Sequence, residues 1–265
     1  PLRDVDPDKV VALGAAVQAE ALTQGSENLL IDVTPLSLGL ETMGGIMEVV
    51  IPRNTPIPVA KAQKFTTYQD GQSAMKIHVL QGDREMVDQC RSLAEFVLSG
   101  IPALPAGKAE IEVRFTIDAD GLLSVSAVES TTGKRQEVAV KPTYGLSADA
   151  IEQMLRDSMT HAEGDILRRL LAETRLEAKQ AVDTLKEALA TDGTLIEADY
   201  KRQIENQIET VEVMMHSDNR EMLDQEVAML STVCERFSDV RVNNALKSML
   251  SGKDIDQVSE ELSSH

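Results

Sequence analysis

A change of hydrophobic period near residue 145 constrains this chain more than any other feature. Before it, apolar residues fall in short β-rich runs at Ile46–Ile51, Val59–Tyr68, Ala74–Leu80, Ile111–Ile117, Leu122–Val128 and Gln136–Val140. In one run Met75, Ile77 and Val79 alternate with Ala74, Lys76 and His78, the two-residue period of a strand with one buried face. Turn signals separate the runs: Arg53-Asn54-Thr55-Pro56, Gln69-Asp70-Gly71, Asp118-Ala119-Asp120-Gly121 and Thr132-Gly133-Lys134. After Ser147, which reads as a helix N-cap, the spacing becomes helical. Leu167, Leu170, Leu171, Ala178, Ala181, Val182, Leu185 and Leu189 share one face of a long helix. Gly193 punctuates it, and helices over Asp199–Met215, Asp218–Phe237 and Val240–Leu250 follow. Strands followed by helices exclude a doubly wound parallel sheet. The expected fold class is α+β: an antiparallel β-sandwich followed by an α-helical bundle domain.

The segment before the strands has a different character. Asp6 to Thr23 reads as a helix, with Asp6 at the N-cap, Pro7 at the first helical position and Gly25 as the stop. It is too short to be a domain and reads as the last helix of a preceding one. Leu29, Leu30 and Ile31 then run into Asp32 without turn chemistry. Inert spacers are polar, Gly/Ser-rich or Pro-rich. An apolar tether has to dock somewhere in at least one functional state, so it implies a protein that switches. The organisation expected is residues 1–27 as helix remnant, 28–33 as linker, 34–143 as sandwich and 144–265 as helical domain.

The 265 residues carry a net charge of −18, which argues against binding nucleic-acid phosphates. Cys90 and Cys234 are the only cysteines. They suit neither a disulfide scaffold nor a metal site and point to a reducing compartment, taken as the cytoplasm. No apolar run approaches the length of a membrane span. Pro1 reads as a cut boundary rather than a native start.

Catalytic chemistry finds little support. Met43-Gly44-Gly45 lacks the Gly-Lys-Ser/Thr of a phosphate loop and reads as a tight bend between strands. Asp118-Ala119-Asp120-Gly121 has Leu122 where a calcium loop needs its next ligand, so a hairpin turn is the better reading. His78, His161, His216 and His265 are scattered, and no metal or nucleophile constellation forms. A hydrolase with an unrecognised site is disfavoured on this ground. A structural adaptor with a helical docking domain stays open beside a binding protein.

The run Asp32-Val33-Thr34-Pro35-Leu36-Ser37-Leu38-Gly39-Leu40-Glu41-Thr42-Met43-Gly44-Gly45, with Ile77-His78-Val79-Leu80-Gln81-Gly82 and Asp118-Ala119-Asp120-Gly121, resembles the substrate-binding part of the DnaK-type heat-shock chaperones. The resemblance extends over essentially the whole chain. Asp6 to Gln18 is similar to the last helix of that family's ATPase domain. Cys90-Arg91-Ser92-Leu93-Ala94 and Gly100-Ile101-Pro102-Ala103-Leu104-Pro105-Ala106-Gly107 resemble the HscA branch, which serves iron–sulfur cluster assembly. The general DnaK branch is the alternative.

The resemblance implies that an extended peptide lies in a groove of the sandwich under a helical lid. It assigns Leu40, Thr42, Phe65, Met75, Ile77 and Ile111 to an apolar pocket, Met43 and Tyr68 to an arch, and Thr66 and Gln72 to contacts with the peptide backbone. Alternation alone accounts equally well for these as ordinary core residues. It assigns interdomain coupling to Leu29, Leu30, Ile31 and Asp32. The family's lid latch is altered, with Ala106 where a basic residue is usual, which leaves Asp70 to pair with Lys179. No cofactor is expected within these residues, whereas the longer protein should bind ATP and Mg and hydrolyse ATP. Implied partners are a Leu-Pro-Pro-Val-Lys type segment of the iron–sulfur scaffold protein, a J-domain co-chaperone and the chain's own ATPase domain. Self-association through the apolar linker is a further expectation.

Overall fold

The structure, a computed structural model, describes residues 9–24 and 32–250. The chain divides into two compact units, one of Pro1–Glu41 and Met47–His161, the other of Thr42–Ile46 and Ala162–His265. Helix α1 spans Val10–Gln24. Its expected cap Asp6, its Pro7 and its stop Gly25 lie outside the described residues.

Eight strands follow: β1 (Leu38–Thr42), β2 (Ile46–Ile51), β3 (Val59–Phe65), β4 (Ala74–Gln81), β5 (Arg91–Ser99), β6 (Ile111–Ile117), β7 (Leu123–Glu129) and β8 (Arg135–Val140). They form two four-stranded sheets, ordered β2-β1-β4-β5 and β3-β6-β7-β8. The described ladders are antiparallel. Period-two patterning sends Leu38, Leu40, Ile77, Val79 and Leu98 of the first sheet into a core shared with Ile111, Val113, Phe115, Leu123 and Val125 of the second. Each such side chain contributes about 1.5–3 kcal/mol by leaving water.

Strand β5 is absent from the sequence reading, and its geometry explains why. Its partners step from Val79↔Ala94 to Leu80↔Ser92, so Leu93 has no opposite residue. The bulge shifts the phase of Leu93 against Phe96 and Leu98 and hides the strand period. The turns behave as their residues suggest. Asp118 Oδ1 accepts the amides of Asp120 and Leu122, each at 2.9 Å, which closes the β6–β7 hairpin.

Past β8, two turns carry the chain to a helix. The Tyr144 amide donates to Lys141 O at 3.1 Å and the Leu146 amide to Thr143 O at 3.2 Å. Gly145 sits between them at φ +74°, where a side chain would be strained. Ser147 Oγ then accepts the Ala150 amide at 3.1 Å, the expected N-cap of α2 (Ala148–Thr160).

The second unit contains α3 (Ala162–Asp192), a 3₁₀ turn at Gly193–Leu195, α4 (Ala198–Met214) and α5 (Arg220–Leu250). Ala178, Val182 and Leu189 of α3 pack with Ile204, Ile208 and Val211 of α4 and Leu223, Leu230, Cys234 and Phe237 of α5. Helix α5 runs unbroken through the point where the sequence reading ends one helix and starts another. Ser238 and Asp239, which suggest a break, are exposed positions on the same helix. Nearby, the Tyr200 hydroxyl of α4 donates to Val233 O at 2.6 Å and accepts the Phe237 amide at 3.1 Å. These two groups lie one helical turn apart on α5.

Candidate functional site

The residues assigned to an apolar pocket come from both sheets. Leu40 of β1 lies opposite Val79 of β4, and Ile77 shares the Val79 face two residues away. Across β4–β5, Met75 faces Leu98 and Ile77 faces Phe96. In the second sheet Phe65 and Ile111 are direct partners at the ends of β3 and β6. Leu40, Ile77 and Ile111 belong to the buried core, and Phe65 and Met75 pack against it half-buried. Thr42 ends β1 with its hydroxyl donating to Ile46 O at 3.3 Å. The pocket residues that pack together carry no titratable group. Their chemistry suits an apolar side chain and offers nothing for proton transfer.

The loops 66–73 and 100–108 are joined along their length. The Gly71 amide donates to Leu104 O and the Gly107 amide to Thr67 O, both at 2.9 Å, while the amides of Gly100 and Ile101 share Ser73 O at 3.0 Å. Asp70 adds a carboxylate, its Oδ1 accepting the Ala106 amide at 2.6 Å. The residue expected to serve a latch therefore already ties the two loops together, and does so through the backbone of position 106. Lys179, its expected partner, is an exposed residue of α3 in the other unit.

Gln72 shapes the first loop from inside. Its Oε1 accepts the Tyr68 and Gln69 amides at 3.0 and 3.4 Å, and its Nε2 donates to Ala74 O at 2.9 Å. Thr66 lies exposed just past β3. The Tyr68 hydroxyl is buried and has no hydrogen-bond partner among the described residues. Met43, before the Gly44-Gly45 bend, is 48% exposed.

Of the coupling residues, Leu29, Leu30 and Ile31 lie outside the described residues. Asp32 and the two residues after it are stitched to the segment 52–57. Asp32 Oδ1 accepts the Val33 amide at 2.9 Å, and Asp32 O accepts the Ile57 amide at 3.0 Å. Thr34 exchanges backbone bonds with Thr55 and Asn54. Beneath them Ser37 Oγ donates to Asp83 Oδ1 at 2.7 Å and accepts the Arg53 amide at 2.9 Å.

Polar residues outside the pocket brace the strands. His78 reaches Glu41 Oε2 at 2.6 Å and Ser92 Oγ at 2.8 Å, spanning β1, β4 and β5. Glu129 is fully buried, and its carboxylate accepts the hydroxyl and amide of Thr132 and the amide of Thr131. These bonds, the Thr132 hydroxyl foremost, hold its pKa below the ordinary value. Burial raises the Cys234 thiol and keeps it neutral. Among the described residues no cluster of His, Cys, Asp and Glu could hold a metal ion, and no helix is long and apolar enough to cross a membrane.

Sequence reasoning missed Arg91. Its Nη1 donates to Pro142 O at 2.9 Å and Gln81 Oε1 at 3.2 Å, and its Nη2 to Tyr144 O at 2.7 Å. Its sequence signals were its place in the Cys90–Ala94 stretch and a cation opening an apolar run, and neither points to the backbone of 142–144.

Comparison with known proteins bears on the whole chain. Residues 1–242 match the family described as Hsp70 protein. The Chaperone protein HscA of Klebsiella pneumoniae (strain 342) is 50% identical over 261 residues, covering 97% of this chain and 42% of that protein. The Chaperone protein HscA homolog of Shewanella sediminis (strain HAW-EB3) is 49% identical over 261 residues with the same coverage. The chain thus spans about 42% of the length of these relatives.

Proposed function

Because this chain belongs to the Hsp70 family and is HscA-like, we propose that it binds an extended peptide segment through its sandwich. The observation that supports this is the apolar cluster of Leu40, Phe65, Met75, Ile77 and Ile111, drawn from both sheets. One apolar client side chain buried there gains about 1.5–3 kcal/mol. Main-chain bonds near Met43, Thr66 and Tyr68 add affinity without sequence choice, as in strand addition generally. Ordering the peptide offsets part of this gain. The helical unit then acts as the lid that slows escape, and a Lys179–Asp70 pair replaces the altered latch.

The preferred client is a Leu-Pro-Pro-Val-Lys type segment of the iron–sulfur scaffold protein, in keeping with the HscA-like character of the chain. In the longer protein, ATP hydrolysis with Mg and a J-domain co-chaperone drive the cycle. The signal passes through the tether and Asp32, whose neighbours are bonded to the segment 52–57. Fluorescence anisotropy tests this by competing a labelled Leu-Pro-Pro-Val-Lys peptide against a generic apolar peptide. A strong preference for the former supports the reading. Equal affinities replace it with a general DnaK-like binder, and no binding of either leaves a structural adaptor.

A further inference from the structure

We propose that Arg91 is a clamp holding the connection 141–147 to the edge of the sandwich, and that it thereby sets how fast a bound peptide is released. The release part rests on the function proposed above; the clamp itself rests on geometry alone.

Arg91 opens β5 directly opposite Gln81, the last residue of β4. Gln81 is only 1% exposed, and its Oε1 accepts from Arg91 Nη1, which fixes the guanidinium plane at the strand end. From there the fork reaches two main-chain carbonyls more than fifty positions along the chain, Pro142 O and Tyr144 O. Both oxygens belong to the first turn after β8, which the Tyr144 amide closes onto Lys141 O. A hypothetical Cβ on Gly145 would lie 3.7 Å from Arg91 Nη2, so the guanidinium rests against that turn.

The task suits arginine. Carbonyls two residues apart in a turn need two diverging donors held in one plane, and the guanidinium supplies them without rotation. A lysine ammonium is a single point and serves one carbonyl well. Bonds from a charged donor are also stronger than neutral ones. Without the clamp, the bonds that hold the connection are local: the Tyr144 and Leu146 amides within it, and Ser147, whose side chain and carbonyl take the first amides of α2. Local opening of such a segment is easy. Since α2 follows directly, freedom in 141–147 is freedom in where the helical part of the chain departs from the sandwich.

The test uses the 265-residue chain with Arg91→Met and Arg91→Lys. Amide exchange is read at Tyr144 and Leu146, and stopped-flow release is read with a dansylated apolar heptapeptide. In Arg91→Met both rates should rise roughly tenfold, equivalent to about 1.4 kcal/mol. Arg91→Lys should fall between Arg91→Met and the wild type. Unchanged exchange overturns the clamp, and raised exchange with unchanged release overturns its control of release. If Arg91→Met does not fold, Arg91→Lys keeps charge and stem, and wild-type exchange in it overturns the proposal. If the wild-type chain binds no peptide, the proposed function fails, while the exchange rates still decide the clamp.

Discussion

Replacing Gly39 with alanine should be far more damaging than one added methyl suggests. Gly39 is a buried residue in the middle of β1. A Cβ there would lie 2.9 Å from the Glu48 carbonyl carbon and 3.1 Å from the Val49 Cα, and closer still to the Glu48 carbonyl oxygen. All three atoms are backbone of β2, so no side-chain rotation relieves the clash. Carbon atoms in good contact sit at about 3.5–4.0 Å, so the strands must part by on the order of 1 Å. Overpacking of this kind costs about 1–3 kcal/mol, and each ladder hydrogen bond lost adds about 1 kcal/mol. A loss of about 3 kcal/mol follows from these two contributions. With a urea slope near 2 kcal/mol/M, the unfolding midpoint of the sandwich should drop by about 1.5 M. Peptide affinity should fall as well, because β1 carries Leu40 into the core. Urea titration followed by circular dichroism, with anisotropy in parallel, reads both effects. A midpoint shift below about 0.3 M would mean that β1 and β2 separate at almost no cost, contrary to this expectation.

Three further outcomes are expected. Glu129 has a folded pKa below its reference value of 4.5, so it stabilises the sandwich above that pH and loses this as pH falls through the folded value; Glu129→Gln should flatten the acid limb of the stability profile below pH 4.5, and an unchanged slope in acid titration would sink the idea. Tyr200→Phe should cost only about 1 kcal/mol in urea unfolding, since Val233 O and the Phe237 amide stand one turn apart on α5 and the helix itself can satisfy both, and a loss above about 3 kcal/mol would contradict this. Lys179→Ala should speed peptide release by no more than about fivefold, as befits an exposed ion pair; an identical off-rate rules out its pairing with Asp70.

What the sequence disclosed tracks the range of the interaction involved. Period-two runs such as Met75, Ile77 and Val79 are local patterns, and they located most of the strands and the core face. Ser147 was legible as a cap because a cap involves residues three apart. Strand β5 was not, since a bulge at Leu93 can be recognised only against its partner strand. Asp70 was singled out from family likeness, yet its bond to the Ala106 amide depends on two loops meeting 36 positions apart. Arg91 and Tyr200 use side chains on the backbone of remote elements, and no spacing rule marks such residues. The candidate pocket sits between these cases. Alternation shows which face its residues share, but core and groove demand the same alternation.

The hydrogen bonds between loops 66–73 and 100–108 have a consequence for how the sandwich is specified. β3 pairs with β6 in one sheet and β4 with β5 in the other. The loops joining β3 to β4 and β5 to β6 are bonded to each other as well. The four strands therefore form one double-stranded ribbon, creased at the loops, with each half laid into a different sheet. Alignment chosen in either half is inherited by the other through the crease. A one-residue slip of β3 against β6 would have to be carried around the corner into β4 and β5, turning Ile77 and Phe65 outward together. The apolar faces of two separate sheets are thus kept in phase by one continuous alignment.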